Sequence, residues 1–450
     1  MKKVVFITVL YTLLGLTKTM AQEAYAVYTS DNTTLTFYYD SQKSSRSGEK
    51  FAINTGNNKP EWNINRINER LSSVVFDPSF AGVRPTSTYM WFRSMYYLTS
   101  ITGLEYLNTE KVTDMSYMFS ECYRLLALDL THFNTANVFK MNQMFYACEN
   151  LATICVGDGW STAKTSTYES ADMFLGCHNL VGEDGTKYYD LATTCAEARV
   201  GGGYLHSASY ATQTYNIWVS GIQVTYLNKT NICNDIFNSH ASYDPKTNTL
   251  KLMNGNFTGK GTSSDAATGY GAGIYSQVNE LTIEVEDYIT VKGVSGCSGM
   301  LLMSNTTITG NYRLTASGDM GVHLGSTSSN LTVSGNVTLE ADGTKGGITG
   351  YRRTRPFENY YSTLTVKDKA TVNAKGLGTL ADLVLKDSHA ITSPTGAVWN
   401  ADQNGVCDKD GKLITSKWVT IEYKEPPRAD VNMDGTVDSA DIVAVIKEMK

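Results

Sequence analysis

Residues 90–98 read MWFRSMYYL, residues 117–125 YMFSECYRL, residues 143–151 QMFYACENL and residues 172–180 DMFLGCHNL. In all four stretches a Met or Trp precedes a Phe, a Met or Cys follows three residues after it, and a Leu six residues after it. The Phe residues are 27, 26 and 29 residues apart. An internal repeat of this length predicts a solenoid, in which each unit buries its apolar face against its neighbours.

Each repeat is expected to contain one short helix and one strand. Apolar residues at i, i+3 and i+7 make one face of a helix. The second repeat has this spacing at Met115, Met118, Phe119, Cys122 and Leu125. The run that follows, residues 125–130, changes to the alternation of a strand. The sequence therefore predicts an α+β or mainly β repeat protein.

Further text of the repeats reads NTEKVTDMSYMF at residues 108–119, LDLTHFNT at 128–135 and MFLGC at 173–177. It resembles the BspA-like leucine-rich repeat family of bacterial surface proteins, as does FAGVRP at residues 80–85. The resemblance implies leucine-rich repeats over residues 89–200, a surface location, and adhesion to host proteins or to other cells without a reaction. After Leu180 the strand motif gives way to VGEDGT, as in a terminal repeat.

The first residues are predicted to be a cleaved signal peptide, residues 1–21, and not part of the fold. Lys2 and Lys3 precede an apolar run over residues 4–16, and the small residues of TMA at 19–21 precede a cut at Gln22. The run is too short to favour a membrane span, and no second one follows. We therefore expect a secreted or cell-surface protein without a membrane span.

Composition indicates a β-rich, exposed architecture and argues against nucleic acid as a partner. The formal charge is −6 and only 18% of residues are charged, whereas the chain contains 28 Tyr. Residues 22–88 are predicted to form a β-rich cap over the open end of the repeats. Strands are expected at residues 34–39 and 74–76, and a short helix within residues 60–71.

The cysteines are predicted to be buried thiols in the repeats, although an exported protein with eight Cys would normally contain disulfides. Cys122, Cys148 and Cys177 share one repeat position with Met95, so this position requires a medium-sized apolar side chain. Neighbouring helices are ~8–10 Å apart, beyond the usual disulfide Cα reach of about 7 Å. The pairing of the other five is left open. They are Cys155, Cys195, Cys233, Cys297 and Cys407.

A glycine-rich linker is predicted at residues 201–214, and residues 215–423 follow as a second domain without helices. Residues 242–252 read as a hairpin around a Pro/Asn turn. Short strands recur in pairs, and glycine–apolar steps accompany them. The pairs are residues 281–283 and 289–291, 331–333 and 337–339, 364–366 and 370–372, and 383–385 and 390–392. The steps begin at Gly273, Gly299, Gly321, Gly347 and Gly396. Three short strands per repeat predict a β-helix or β-solenoid, with a β-sandwich as the alternative.

Catalysis in this second domain would require clustered carboxylates on one face. Its repeated aspartates are expected to lie mostly at turn positions instead. They are Asp287, Asp319, Asp342, Asp368 and Asp387. The insertion at residues 351–361, with Arg353 and Tyr360, combines arginines and aromatics that can stack on sugars or bind an acidic partner. The open alternative is a loop that merely protrudes from one repeat.

A stiff linker at residues 424–429 precedes a calcium-binding motif at residues 430–450. Oxygen ligands are spaced as in the EF-hand loop, with Gly435 at the sixth position and Asp in place of Glu at the twelfth. The predicted ligands are Asp430, Asn432, Asp434, Thr436, Asp438 and Asp441. The motif resembles one repeat of a type I dockerin, a family that pairs two repeats to bind a cohesin. We expect Ca²⁺ as the cofactor; a cohesin-like partner and a purely structural loop remain alternatives.

Partner binding is predicted on the repeat face that carries Tyr96, Tyr123 and Tyr146, with Tyr97, Arg124 and His178 beside them. Tyr and Arg often dominate the energy of interfaces. The first hypothesis is a secreted, non-catalytic protein that adheres to host or neighbouring-cell surface proteins. The alternative is a carbohydrate-active accessory or polysaccharide-degrading protein, in which the β-solenoid binds glycans and the dockerin-like tail is a tether.

Overall fold

The computed structural model describes residues 21–29, 33–54, 56–64, 67–233, 239–259, 261, 271–353, 359–425, 438, 439 and 443. The chain is mainly β, as the sequence predicts, and divides into two compact units, Met1–Ala208 and Ser209–Lys450. Within the described ranges, no helix has the length and apolar character needed to span a membrane.

The first unit contains short strands joined by turns. The strands are β1 (Glu23–Tyr28), β2 (Thr34–Asp40), β3 (Glu49–Ala52), β4 (Ser73–Phe76), β5 (Ser100–Thr102), β6 (Ala127–Leu130), β7 (Thr153–Val156) and β8 (His206–Ser207). The α-helices are α1 (Glu61–Ile64) and α2 (Ala208–Ala211), and 3-10 helices span Asn68–Arg70, Pro78–Gly82, Leu104–Tyr106, Tyr168–Ser170 and Cys195–Glu197. One sheet has the order β3-β1-β2-β4-β5 and a second the order β6-β7-β8. The strands expected at residues 34–39 and 74–76 are confirmed as β2 and β4.

The helix expected in each repeat is wrong, because the stretches around the four Phe residues are runs of successive turns. Alternate amides bond three residues back, as Met95 N–H does to the carbonyl of Phe92 at 3.2 Å. Positive φ values recur on either side of each Phe, for example at Tyr117 (61°) and Glu121 (63°). Turns of this length return the chain to the core every three to four residues, which is the spacing that also indicates a helix.

The other amides of these turns bond to the next repeat, which explains why no helix forms. Phe92 N–H donates to the carbonyl of Met118 at 2.9 Å, and Phe119 N–H to that of Met144 at 2.9 Å. An α-helix would satisfy all these donors internally. The turns therefore connect consecutive repeats through backbone hydrogen bonds, as a β-ladder does.

The core of the first unit is a row of repeat side chains. Phe119 and Phe145 have ring centroids 5.7 Å apart at an interplanar angle of 6°, and Phe145 and Phe174 follow at 5.5 Å. Next to this row lie three buried thiols, Cys122, Cys148 and Cys177, each fully buried as predicted. Each is a free cysteine that donates its thiol proton to a carbonyl of the preceding repeat.

The segment before the repeats donates hydrogen bonds to carbonyls of the first repeat. These carbonyls have no amides of a preceding repeat as partners. In later repeats, carbonyls such as those of Met118 and Ser120 accept amides from the repeat before them. In the first repeat, Trp91 O accepts the indole N–H of Trp62 at 2.8 Å. Arg93 O accepts the side-chain amides of Asn63 at 3.1 Å and Asn68 at 2.8 Å. The helix expected within residues 60–71 is therefore present only as two short turns of helix, α1 and Asn68–Arg70, and it carries these donors.

The segment predicted as a linker, residues 201–214, is partly folded into the first unit. Tyr204, Leu205 and His206 are buried, and His206 lies in β8, which pairs in parallel with β7. An imidazole nitrogen of His206 is 2.7 Å from the carbonyl of Val181. The glycine run indicated a linker, but the apolar residues behind it cover the end of the repeat core.

The second unit consists almost entirely of strands. They are β9 (Thr214–Val219), β10 (Ile222–Thr225), β11 (Ser239–Asp244), β12 (Thr249–Gly259), β13 (Ala272–Ser276), β14 (Leu281–Val285), β15 (Ile289–Gly293), β16 (Ser298–Leu302), β17 (Thr306–Gly310), β18 (Arg313–Leu324), β19 (Leu331–Val333), β20 (Thr338–Thr349), β21 (Arg352–Arg353), β22 (Asn359–Tyr360), β23 (Thr363–Val366), β24 (Thr371–Lys375), β25 (Leu377–Gly378), β26 (Asp382–Leu385), β27 (His389–Ser393), β28 (Val398–Asn400), β29 (Gly405–Cys407) and β30 (Trp418–Tyr423). The expected hairpin at residues 242–252 is confirmed by the antiparallel pairing of β11 with β12.

The middle strands pair in parallel with strands one repeat later, in three ladders. Ile283, Ile308 and Val333 are paired neighbours in the first ladder, 25 residues apart along the chain. The second ladder pairs β15, β18, β20 and β24, and the third pairs β13 and β16 with the ends of β18 and β20. The inward residues of all three ladders belong to one buried apolar cluster.

The predicted glycine steps at Gly273, Gly299, Gly321 and Gly347 lie one above another where backbones approach closely, whereas the step at Gly396 is wrong because this residue lies in a turn. A Cβ on Gly299 would be 2.6 Å from the carbonyl oxygen of Gly321, and one on Gly321 would be 2.7 Å from that of Gly347. The apolar residues after them, such as Met300 and Val322, are paired neighbours in the third ladder. Each of these steps therefore consists of a glycine, where no side chain would fit, followed by an apolar residue of the core.

Candidate binding surfaces

Four side chains of the first two repeats form an aromatic surface, here called the tyrosine face: Tyr96, Tyr97, Tyr123 and Arg124. Tyr96 and Tyr123 occupy equivalent repeat positions, and their rings stack at 5.3 Å and 16°. The Arg124 guanidinium lies 4.5 Å from the centre of the Tyr97 ring. Tyr97 is 47% exposed, and Tyr96 and Tyr123 are half-buried. The turns position these residues because the core Met95 and Cys122 immediately precede them.

Tyr146 and His178, which the sequence groups with this face, are less closely integrated. Tyr146 directly follows its repeat Phe, a position held by Arg93 and Ser120 in earlier repeats. His178 packs edge-on against Tyr188 at 5.3 Å instead of against a repeat tyrosine. Sequence spacing separates Tyr146, one residue after its Phe, from Tyr96, four residues after its Phe, but it does not separate His178.

Acidic groups beside the tyrosine face influence its electrostatics. Burial raises the pKa of the Tyr123 phenol, and the nearby Glu121, Tyr96, Glu149 and Tyr146 act in the same direction. Glu121 is also 3.7 Å from the Arg93 guanidinium. Tyr123 is therefore a neutral phenol at physiological pH, with an apolar ring and a polar tip.

The insertion at residues 351–361 contains a two-residue hairpin of β21 and β22. The Arg352 guanidinium lies 5.5 Å from the centre of the Tyr360 ring, and both residues line an open cleft of ≈ 200 Å³. Arg353 pairs through its backbone with Asn359. The side chain of Arg353, which the sequence selected, lies outside what the structure describes, and Arg352 is the arginine described beside Tyr360.

A larger cleft of ≈ 510 Å³ on the second unit, here called the charged cleft, is lined by Lys292, Asp319, Asp342 and Lys375. Lys375 is 3.3 Å from the Asp342 carboxylate, and Lys345 is 2.7 Å from that of Asp319. These two aspartates lie in β18 and β20, so they are the exceptions to the expectation that the repeated aspartates are mostly at turn positions.

The remaining repeated aspartates do stabilise turns. The carboxylates of Asp368 and Asp387 accept amides of Gly335 and Asp368 at 2.9 and 2.8 Å. Asp287 accepts the amide of Tyr288. Alignment of the second repeat system would have distinguished the two groups. Asp342 shares its ladder position with Lys292 and Ser317, both on outward faces of strands.

The predicted calcium ligands lie outside the described residues except for Asp438. No group of three or more His, Cys, Asp or Glu side chains suited to a metal is present in the described ranges. Those ranges omit most of the loop at residues 430–441, so the calcium prediction stays a prediction.

One family model matches the chain. It is described as a Mycoplasma protein of unknown function, DUF285, and it covers residues 87–188. These residues include all four Phe-centred repeats and most of the segment predicted as leucine-rich repeats. No curated protein matches the chain, and no solved structure does.

Proposed function

We propose that this chain is a secreted or surface-located, non-catalytic binding protein that adheres to surface proteins of a host or a neighbouring cell. The observation that carries the proposal is the tyrosine face, where stacked phenol rings and a guanidinium from adjacent repeats lie together on the surface. Tyr and Arg are enriched among the residues that dominate binding energy. The contacts of Tyr96 with Tyr123 and of Arg124 with Tyr97 support a role of this surface in partner binding.

Pre-organisation is the physical basis of the proposed binding. A free tyrosine or arginine side chain loses rotamer freedom when a partner immobilises it, at a cost of about 0.5–1.5 kcal/mol. Tyr96 and Tyr123 already hold each other by stacking, and Arg124 is held over Tyr97. A protein partner that covers these rings therefore gains their apolar contact area with little additional ordering.

We propose a repeat architecture for each unit as part of this function. The backbone bonds between consecutive turns support a solenoid of leucine-rich-repeat type in the first unit. Parallel ladders with a 25-residue offset support a β-solenoid in the second. The alternative β-sandwich is built from antiparallel sheets, so the parallel pairing disfavours it. Repeat arrays of this kind offer extended surfaces for macromolecular partners.

Replacement of Tyr96, Tyr123 and Tyr146 together by Ser tests the proposal. We expect the labelled mature chain to lose binding to cells from its native environment, while its thermal unfolding temperature stays nearly unchanged. The matched control replaces three exposed tyrosines outside the face, Tyr168, Tyr189 and Tyr288, by Ser. The control variant should bind like the unmodified chain. Retained binding by the first variant would exclude the tyrosine face, and turnover of a polysaccharide by the intact chain would refute the non-catalytic role.

The charged cleft supports a second candidate, a carbohydrate-binding or polysaccharide-degrading role for the second unit. Its volume of ≈ 510 Å³ falls within the ~300–1,000 Å³ usual for ligand sites, and two aspartates and two lysines line it. A glycan array with the intact chain tests this role. Saturable binding that is lost on Asp342→Asn but kept on Asp368→Asn, a turn aspartate, would favour it over protein adhesion.

The C-terminal segment is proposed to bind calcium through Asp430, Asn432, Asp434, Thr436, Asp438 and Asp441. Several carboxylates within twelve residues repel one another unless a divalent cation lies between them. Hydrogen exchange over residues 429–450 should slow when calcium is added, and Asp434→Ala should abolish this effect. Equal protection in a chelator would show that calcium does not organise the segment. A cohesin-like partner would require a direct binding assay against such a module.

A further inference from the structure

A polar cleft of ≈ 290 Å³ on the first unit lies apart from the tyrosine face and is here called the repeat cleft. Its lining residues are Asn57, Tyr89, Asp114, Ser116, Tyr117, Lys140, Asn142, Gln143 and Ala171. All but Asn57 stand two, three or five residues before a repeat Phe. The cleft is thus built from the same few positions of four consecutive repeats.

The backbone beneath the cleft is already hydrogen-bonded, so its chemistry comes from side chains. Met115 N–H donates to the carbonyl of Lys140, and Tyr117 N–H to that of Asn142, both at 2.9 Å. The side chain of Asn142 is also committed, since its Oδ1 accepts the amide of Ala171 at 3.1 Å. The amide of Gln143 is directed at the Asp172 carboxylate at 3.5 Å, so the groups that line the cleft for a ligand are chiefly the two phenols, Asp114, Ser116 and Lys140.

A buried hydroxyl without a partner belongs to a residue that lines the cleft. Ser116 is 3% exposed, and its Oγ has no hydrogen-bond partner in the described part of the chain. Buried polar groups are rarely left unpaired, because this costs about 1–3 kcal/mol. Next to it Asp114 is 5% exposed and accepts the Ser116 amide through Oδ1 at 2.8 Å. A ligand hydroxyl is the type of group that pairs with both.

Two tyrosines supply the apolar part of the cleft. The Tyr89 and Tyr117 rings meet edge to face, with centroids 5.9 Å apart at 86°. Burial raises the pKa of Tyr89, and the neighbouring Tyr117 contributes in the same direction. Arg93 lies 5.0 Å from the centre of the Tyr117 ring. The two phenols offer ring surface for stacking and hydroxyls for hydrogen bonds.

The charges of the cleft select the class of ligand. Asp114 and Lys140 carry opposite charges, so the two side chains together favour a ligand without net charge. The volume of the cleft, ≈ 290 Å³, is just below the ~300–1,000 Å³ usual for small-molecule sites. A cleft of this size suits a ligand with a single ring. We propose that the repeat cleft binds one neutral sugar ring, free or at the end of a glycan, with the ring against the tyrosines and hydroxyls on Ser116 and Asp114. This proposal does not depend on protein binding at the tyrosine face.

Ligand-observed NMR with the mature chain and four methyl glycosides, of glucose, galactose, mannose and N-acetylglucosamine, tests the proposal. We expect saturable binding of at least one. Ser116→Ala should weaken it about threefold to tenfold, the equivalent of one hydrogen bond, while the stability of the free protein stays equal or rises. A merely structural Ser116 would lower stability and leave affinity unchanged.

Tyr117→Asn is the second variant, because Asn tolerates the positive φ of 61° at this position. It should weaken sugar binding about tenfold or more. Tyr97→Asn, at a tyrosine outside the cleft, should leave it unchanged. Absence of saturable binding for all four glycosides would overturn the proposal. So would equal affinity in the unmodified chain, Ser116→Ala and Tyr117→Asn. If the tyrosine-face variant loses cell binding but keeps sugar binding, the two sites are distinct.

Discussion

At the scale of single residues, the repeat cysteines combine two properties that few side chains share. Cys148 fills a fully buried position and donates its thiol proton to the carbonyl of Phe119 at 3.0 Å. Cys122 and Cys177 repeat this contact with Phe92 at 3.2 Å and Phe145 at 3.0 Å. In the first repeat, which has no Phe of a preceding repeat behind it, the position holds Met95. The cysteine therefore fills an apolar core position and also donates one hydrogen bond, from its thiol to a carbonyl of the preceding repeat.

Cys148→Ala should lower the free energy of unfolding by about 1–3 kcal/mol, because packing and a hydrogen bond are lost together. Chemical denaturation of the mature chain measures this. Glu149→Ala, at the next and exposed position, serves as the control and should change stability by less than about 0.5 kcal/mol. Reductant should have no further effect on either protein, and a mass map that links any two of the repeat cysteines would contradict the prediction.

Alkaline pH should destabilise the first unit through these thiols. Burial raises the pKa of Cys148 to about 12, whereas an unfolded cysteine has a pKa of about 8.5. The folded state thus keeps a proton that the unfolded state releases, so stability is lost as pH rises between these two values. Between about pH 8 and pH 10, the loss should be roughly 1–2 kcal/mol smaller in Cys148→Ala than in the unmodified chain. Identical pH dependence would show that the thiol does not contribute.

At the scale of the element, the turns of each repeat depend on residues with positive φ. The second position after the repeat Phe has φ values of 58°, 63°, 56° and 85° at Ser94, Glu121, Ala147 and Gly176. Gly adopts this region without strain and Asn tolerates it, whereas other residues lose roughly 1 kcal/mol relative to Gly. The helix predicted from apolar spacing failed here, because spacing records which residues face the core and not the sign of φ.

Ala147→Gly should therefore stabilise the first unit by about 0.5–1 kcal/mol. Gly176→Ala, at the equivalent position of the next repeat, should destabilise it by more, since its Cβ would also lie 3.1 Å from Cα of Ala147. Denaturation midpoints of both variants measure the pair. Ala152→Gly, where φ is not positive, is the control and should destabilise. Stabilisation by Gly176→Ala would refute this explanation of the turns.

Side-chain donors at the first repeat form a second structural element, the cap. Asn68→Ala removes the amide that bonds Arg93 O at 2.8 Å. Arg93 O keeps the amide of Asn63 at 3.1 Å, so the loss is that of one hydrogen bond, about 0.5–1.5 kcal/mol, and the first unit should unfold at lower denaturant concentration. Lys59→Ala, at an exposed position of the same segment, is the matched control. An unchanged midpoint for Asn68→Ala would mean that the cap does not act through these bonds.

At the scale of the whole molecule, each compact unit has its own apolar core. One buried cluster extends from Ala26 to Leu205 and another from Ile217 to Ile421. Repeat arrays need terminal segments that cover their open ends. In the first unit, Trp62 and Asn68 do so at the start, and Tyr188 and Tyr204 lie at the end.

Residues 22–208 alone should consequently fold with one cooperative thermal transition, whereas residues 89–208, which lack the cap, should not. Circular dichroism and calorimetry of the two fragments distinguish these outcomes. If the longer fragment is unfolded, the first unit depends on the rest of the chain. If the shorter one folds, the segment before the repeats is dispensable.

The sequence by itself determined the repeat register of both units, the buried cysteine position, the strands at residues 34–39 and 74–76, and most of the glycine steps. These features depend on periodicity and side-chain size, which are read directly from the residues. Tyr96 and Tyr123 could also be assigned to one face, since equivalent repeat positions are neighbours in a repeat array.

Only the tertiary structure decided which backbone form the repeats take and which side chains meet. Turns replaced the predicted helix because half of their amides bond to the next repeat. Asp319 and Asp342 lie in strands beside lysines, although single aspartates near glycine usually indicate turns. The repeat cleft joins residues from four consecutive repeats. Contacts between repeats depend on register and backbone direction in space, and no local pattern records them.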